Sequence, residues 1–185
     1  MAAELHCDVL VAGSGACGLA CAVTAASLGL SVIVAEKESL VGGTTAWSGG
    51  WLWVPRNPLA VEAGISETSE APRRYLEAEL GPWFDAARID AFLETAPRMV
   101  EFFRRNTAVQ FVDGNTIPDF HDRLPGSAGG VRSVCAAPFD ARELGRDRAG
   151  DVQDKERAGG EPHLVDEAGV ADEVAERGQR GPGGA

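Results

Sequence analysis

The sequence predicts an α/β fold that opens on a parallel βαβ unit with an incomplete sheet and continues into a helical region. Three observations predict it. Cys7 to Ala12 (CDVLVA) is a short apolar run bounded by glycine. The alanine-rich stretch Ala16 to Leu28 follows a cluster of glycines, and a second apolar run, Ser31 to Ala35 (SVIVA), comes next. From Asp85 to Phe103 the apolar residues recur at helical spacing, after a capped helical stretch at Ser69 to Leu80.

Each element has a local reason. Cys7 to Ala12 suits a strand buried on both faces, as in a parallel sheet. Ala16 to Leu28 carries small side chains that let a helix lie close to a strand, and Gly29 is a natural stop. Ser31 to Ala35 is the second buried strand, and strand, helix and strand within about 30 residues make one parallel crossover unit. Residues 42 to 58 form a loop rich in Gly, Trp and Pro. A helix over Ser69 to Leu80 has Ser69 as its cap, Pro72 in its first turn and Gly81 at its end. A second helical run begins at Asp85, with Ile89, Phe92, Leu93, Ala96, Val100 and Phe103 as its apolar stripe and Pro97 expected to kink or divide it. Val109 to Val112 reads as a strand ending at the turn Asp113-Gly114, residues 117 to 130 as loop, and Ser133 to Ala137 as a further strand.

Composition narrows the function. The chain has 185 residues, 44% of them hydrophobic and 24% charged, with a net charge of −11. That charge disfavours nucleic acid or an anionic membrane as the main partner. Glycines at 13, 15, 18 and 29 interrupt the apolar stretch 9–35, and acidic rather than basic residues precede it, so no membrane span or targeting segment is expected. The four cysteines, Cys7, Cys17, Cys21 and Cys135, form no C-x-x-C pair and have no histidine at zinc-ligand spacing. They read as buried free thiols in a reducing cytoplasm, with no metal site.

Gly13-Ser14-Gly15-Ala16-Cys17-Gly18 is a G-x-G-x-x-G placed between a strand and a helix, the context its chemistry requires. Gly13 allows the tight turn, Gly15 lets a pyrophosphate approach the backbone, and Gly18 lets helix and strand touch. The N–H groups opening the helix, those of Ala16 and Cys17 included, favour bound phosphate. Glu36 ends the second strand, where a carboxylate accepts from ribose hydroxyls and repels a 2′-phosphate; Lys37 beside it does not reverse that. The plain alternative, a glycine-rich turn with a surface glutamate, leaves the agreement of strand, glycines, helix and acid unexplained. These residues specify an adenine dinucleotide without separating FAD from NAD.

The next segment separates them by resemblance. Gly42-Gly43-Thr44-Thr45-Ala46-Trp47-Ser48-Gly49-Gly50, after Glu36-Lys37, closely resembles the loop of the fumarate reductase and succinate dehydrogenase flavoproteins. Trp51-Leu52-Trp53-Val54-Pro55, Ala71-Pro72-Arg73-Arg74-Tyr75-Leu76 and Ile117-Pro118-Asp119-Phe120-His121 resemble the 3-ketosteroid Δ1-dehydrogenase-like branch. The resemblance covers residues 5 to 145. It implies a Rossmann-like FAD/NAD(P)-binding unit and the start of a helical substrate-side region. It also implies that Gly43, Thr44, Thr45, Ser48, Gly49 and Gly50 pass along FAD. Some members attach FAD through a histidine just before the threonine matching Thr44. Gly43 stands there, implying non-covalent FAD.

The implied activity is hydride transfer at a carbon–carbon bond of a steroid-like substrate or related cyclic ketone. A truncated non-catalytic fragment with weak or no cofactor binding and an NAD-linked dehydrogenase are the alternatives. No residue is singled out as a catalyst. Tyr75, among Arg73, Arg74, Glu77 and Glu79, is expected on a partly exposed helix, His121 in a solvated loop, and Arg104-Arg105 on a wet helix face. Trp47, Trp51 and Trp53 are expected to pack in the core, with covering the flavin or lining a substrate entrance as the alternative. Residues 1–145 read as the N-terminal part of the FAD-binding domain. Residues 146–185 carry no aromatics and read as a disordered or frameshifted tail.

Overall fold

β1 (Val9–Ala12) and β2 (Val32–Ala35) pair in parallel, Val9 opposite Val32 and Ala12 opposite Ala35, with α1 (Ala16–Ser27) as the crossover. The computed structural model describes residues 4–140. Asp8 and Ser31 fix the register from outside the strands. The Ser31 N–H and hydroxyl both donate to Asp8 Oδ2, at 2.8 and 2.6 Å. The helix ends in two capping bonds characteristic of a left-handed stop: Leu30 N–H to Ala25 O and Gly29 N–H to Ala26 O, with Gly29 at φ +85°. Ala22 and Ala25 form its buried face.

The strands are not buried on both faces as expected. Leu10 is 66% exposed and only Val11 is buried in β1. The cause is the sheet itself, which has two strands among the described residues, so α1 shields one face and nothing flanks the pair. The cysteines follow suit. Cys17 and Cys21 are exposed and Cys7 and Cys135 half-buried, so the expected buried thiols are corrected.

The second unit is an antiparallel sheet ordered β3-β5-β4. It comprises β3 (Trp51–Trp53), β4 (Phe111–Gly114) and β5 (Ser133–Ala136). Three helices accompany it: α2 (Pro58–Glu62), α3 (Glu70–Leu80) and α4 (Ala86–Asn106). Val54, Ala96, Val100 and Val134 form the core, backed by Leu52, Leu59, Phe92, Met99 and Phe111. Asn57, fully buried, caps α2 by accepting from Ala60 N–H at 3.0 Å while its amide donates to Val54 O. Asp85 caps α4 through Arg88 N–H.

Several expectations shift here. β4 lies at Phe111–Gly114 rather than 109–112, because Asp113 and Gly114 pair with Val134 and Ser133 and the turn falls at residues 115–116. The loop 42–58 holds a 3₁₀ turn (Gly43–Trp47), β3 and the start of α2. Ser69 precedes α3 in helical conformation and makes no side-chain cap. Pro97 does not divide α4. Its missing N–H would leave Leu93 O without a helical partner, and Arg56 Nη2 donates to that carbonyl instead. No helix among the described residues is long and apolar enough to cross a membrane. Residues 146–185, expected to form the tail, lie outside the described residues.

Candidate cofactor site

Parallel pairing brings the ends of β1 and β2 to the same edge, where ligands of open α/β sheets bind. Gly13 turns the chain with φ +96°. Gly15 then stands at the N-cap of α1, with Ala16, Cys17 and Gly18 in its first turn. Gly18 is required by contact: a Cβ there would sit 2.0 Å from Gly13 O. The N–H groups of Gly15, Cys17 and Gly18 have no protein acceptor among the described residues. They are the unsatisfied donors of a helix start, and the helix dipole adds positive potential.

Thr45, in the 3₁₀ turn, crosses over this helix end, and its Oγ1 accepts from Ala16 N–H at 3.0 Å. Gly43 lies beside it, the position of its absent Cβ only 3.5 Å from Gly15 Cα. Glu36 follows β2, and its Oε2 accepts both the Ser14 N–H at 2.9 Å and the Ser14 hydroxyl at 2.5 Å. Its Oε1 accepts Glu38 N–H at 3.0 Å. These bonds, the Ser14 hydroxyl foremost, hold the Glu36 carboxyl well below its usual range, to about 2. The Lys37 backbone also faces this carboxyl, and Oε1, with Glu38 N–H as its one close donor, is the oxygen less occupied and the one open to an incoming hydroxyl.

The donor set therefore fits an adenine dinucleotide: free backbone N–H groups for phosphate and an ionised carboxylate with spare acceptor capacity for a ribose. Comparison with known proteins decides among such cofactors. The family profile of the FAD binding domain matches residues 8–180. The chain belongs to this FAD binding domain family.

Its relatives are longer. The chain is 48% identical over 144 residues to 4-oxocyclohex-2-ene-1-carboxylate 5-dehydrogenase of Sinomonas cyclohexanicum, covering 78% of this chain and 24% of that protein. It is 41% identical over 143 residues to 3-oxosteroid 1-dehydrogenase of Mycobacterium tuberculosis, covering 77% and 25%. Among solved structures it resembles 3-ketosteroid Δ1-dehydrogenase of Sterolibacterium denitrificans, crystallised with 1,4-androstadiene-3,17-dione. The TM-score there is 0.73 and the identity 37%, over 80% of this chain and 26% of that one. The chain thus spans about a quarter of the length of the curated relatives it matches.

Within this FAD binding domain chain the sequence-expected site residues fall into two groups. Gly13, Gly15, Ala16, Cys17, Gly18, Glu36, Gly43 and Thr45 gather at the strand ends, and Thr44 is exposed beside them. Ser48 stays with the 3₁₀ turn, while Gly49 and Gly50 lead to the second sheet. Ser48 Oγ donates to Thr45 O, Gly49 O accepts from Cys135 Sγ, and Gly50 O accepts from Ala136 N–H at 3.2 Å. Lys37 points to Glu38 on the surface. The sequence reading missed Ser14, fully buried between Glu36 and Gly42 N–H, 2.9 Å from the latter. Its signal was a hydroxyl at the free position between Gly13 and Gly15.

A second polar cluster lies in the antiparallel unit. Arg132, 1% exposed, binds Asp119 Oδ2 at 2.6 Å and Glu67 Oε1 at 2.5 Å, and its guanidinium lies 5.8 Å from the Trp53 ring centre. Trp53 Nε1 donates to Asp119 Oδ1 at 2.7 Å and packs on Tyr75 and Phe92. Tyr75 is buried, correcting the exposed position expected from its charged neighbours, and burial pushes its phenol up. Trp47 and Trp51 remain 50% and 39% exposed, so of the three tryptophans Trp53 alone packs as expected. His121 Nδ1 meets Glu79 Oε2 at 2.6 Å. Arg104 binds Glu62 and Glu101 and Arg105 binds Glu101 on the outer face of α4. The bonds to Asp119 and His121 anchor the loop 117–130 and leave Phe120, between those two residues, 97% exposed.

Proposed function

We propose that the chain seats FAD without a covalent bond, as the cofactor-binding part of an oxidoreductase acting at a carbon–carbon bond of a cyclic ketone. One arrangement carries the reading: the free N–H groups of the α1 start, the Thr45 hydroxyl and the Glu36 carboxylate share one edge of a βαβ unit. Gly15, Cys17 and Gly18 present backbone N–H groups to the pyrophosphate, and Ala16, whose N–H is held by Thr45, lines the same turn. Thr45 accepts from Ala16 and keeps its own O–H to donate. Glu36 takes a ribose hydroxyl on Oε1. Gly43 and Thr44 continue the cradle, and Ser48, Gly49 and Gly50 carry the chain from it to β3. Gly43, where covalent relatives have a histidine, supports a non-covalent bond to this chain.

Bound FAD supplies hydride transfer. The substrate class is supported by relatives named for an oxocyclohexene carboxylate and a 3-oxosteroid. Four unpaired cysteines support a reducing cytoplasm as the compartment.

The test is direct. The purified 185-residue chain is mixed with FAD, desalted, and denatured. Flavin absorbance that follows the native protein and passes to the supernatant on denaturation is expected. A colourless protein overturns the cofactor reading, and flavin that stays with the denatured chain overturns the non-covalent one. Dye-linked turnover of a 3-oxosteroid or a 4-oxocyclohexenecarboxylate by the flavin-loaded chain tests the substrate class.

A further inference from the structure

We infer that Ser14 is a positioning residue that holds the Glu36 carboxylate and the start of the 42–50 loop in one fixed arrangement for the adenosine ribose of the cofactor. The inference rests on the FAD reading above.

Ser14 is fully buried at a position of the glycine fingerprint whose general geometry requires no hydroxyl. Its hydroxyl orientation is fixed by its neighbours. Glu36 is ionised and only accepts, and Gly42 N–H only donates. The Ser14 O–H must therefore point at Glu36 Oε2, and its lone pair must face Gly42. Together with Ser14 N–H, the hydroxyl places two donors on one oxygen of Glu36. This orients the carboxylate and leaves Oε1 as the face open to a hydroxyl. Gly42 has little freedom to follow any change, since it sits at φ +117° and a Cβ there would lie 2.8 Å from Ala46 Cβ. One buried hydroxyl thus sets both segments before the ligand arrives, and preorganisation of this kind raises affinity by removing an ordering cost.

The experiment uses the 185-residue chain, with ADP and 2′,3′-dideoxy-ADP as calorimetric probes and ¹³C NMR of Glu36 as a ligand-free readout. Ser14→Ala should weaken ADP about tenfold, the scale of one charge-assisted hydrogen bond, and dideoxy-ADP less than about twofold. In a Glu36→Gln background the same substitution should lose most of its effect on ADP. The Glu36 titration midpoint should rise in Ser14→Ala from about 2 toward the ordinary 4.5. Equal weakening of both ligands, unchanged ADP affinity, or an unmoved midpoint overturns the inference. A wild-type chain that binds neither ligand overturns the FAD seat and the ribose role with it, while the midpoint still decides whether Ser14 holds Glu36. Ser14→Cys, similar in volume with a weaker donor, gives the same readouts if Ser14→Ala does not fold.

Discussion

Arg56 Nη2 donates to the carbonyl of Leu93, the acceptor that Pro97 leaves without an N–H inside α4. Leu93 is 2% exposed, so water cannot readily serve that oxygen. Arg56 adopts φ +61° to make the contact, an uncommon conformation for a residue other than glycine. A side chain from the loop after β3 thus repairs a helix more than thirty residues downstream.

Arg56→Met should cost about 1–3 kcal/mol, the penalty for an unsatisfied buried acceptor. In a Pro97→Ala background the restored N–H takes Leu93 O, and the cost should fall by more than half. Urea unfolding of the four proteins measures the coupling. Equal costs in both backgrounds would show that Leu93 O is not what Arg56 serves.

Gly18→Ala places a methyl 2.0 Å from Gly13 O, and both sides of that contact are backbone. Overpacking of this kind costs about 1–3 kcal/mol or more, and the loss should fall on the βαβ unit. Gly129→Ala is the control, because a Cβ there meets nothing within 4 Å. Hydrogen exchange of β1 and β2 amides should speed up in the first variant and not in the second.

The two glycine fates show what the sequence could reveal. The placement of Gly13, Gly15, Gly18 and Glu36 at the strand ends was legible because it depends on a strand, a turn and a helix that follow one another along the chain. Ser14 was hidden because its partners, Glu36 and Gly42, are brought to it only by the crossover. Arg132 had no local signal, since Glu67 lies 65 residues away and Asp119 reaches it by a loop. Tyr75 looked exposed among charges, yet α3 turns it toward Trp53. The cysteines and strands looked buried because their composition suits a full sheet, while β1 and β2 stand as a pair. The shift of β4 by two residues reflects pairing with β5, which lies beyond any local pattern.

Acid should remove the stabilising effect of Glu36. Its carboxyl is lowered in the folded chain to about 2 from an ordinary 4.5. A lowered carboxyl stabilises the fold above its unfolded value and ceases to do so as pH falls through the folded one. The urea midpoint of wild type should therefore exceed that of Glu36→Gln by a constant margin above about pH 5 and lose that margin between 4.5 and about 2. A margin independent of pH would contradict the Ser14–Glu36 geometry.

Arg132→Met should destabilise the antiparallel unit by about 3–5 kcal/mol, since it strands the buried Asp119 carboxylate. Phe120→Ala, next to Asp119 but 97% exposed, should change stability by less than about 0.5 kcal/mol. Thermal melts of both variants check the contrast, and a large loss from Phe120→Ala would mean that the loop is packed differently.

The two sheets differ in how far along the chain their contacts reach. Asp8 and Ser31, which close the parallel pair, are 23 residues apart, whereas Cys135 and Gly49, which join the antiparallel sheet to the glycine loop, are 86 apart. Short loops close sooner than long ones. During synthesis the βαβ unit can therefore assemble while the strands of the second sheet are still being made. Glu36 and Ser14 would be in place before β5 exists, so the edge proposed to take the cofactor would be assembled in a half-built protein.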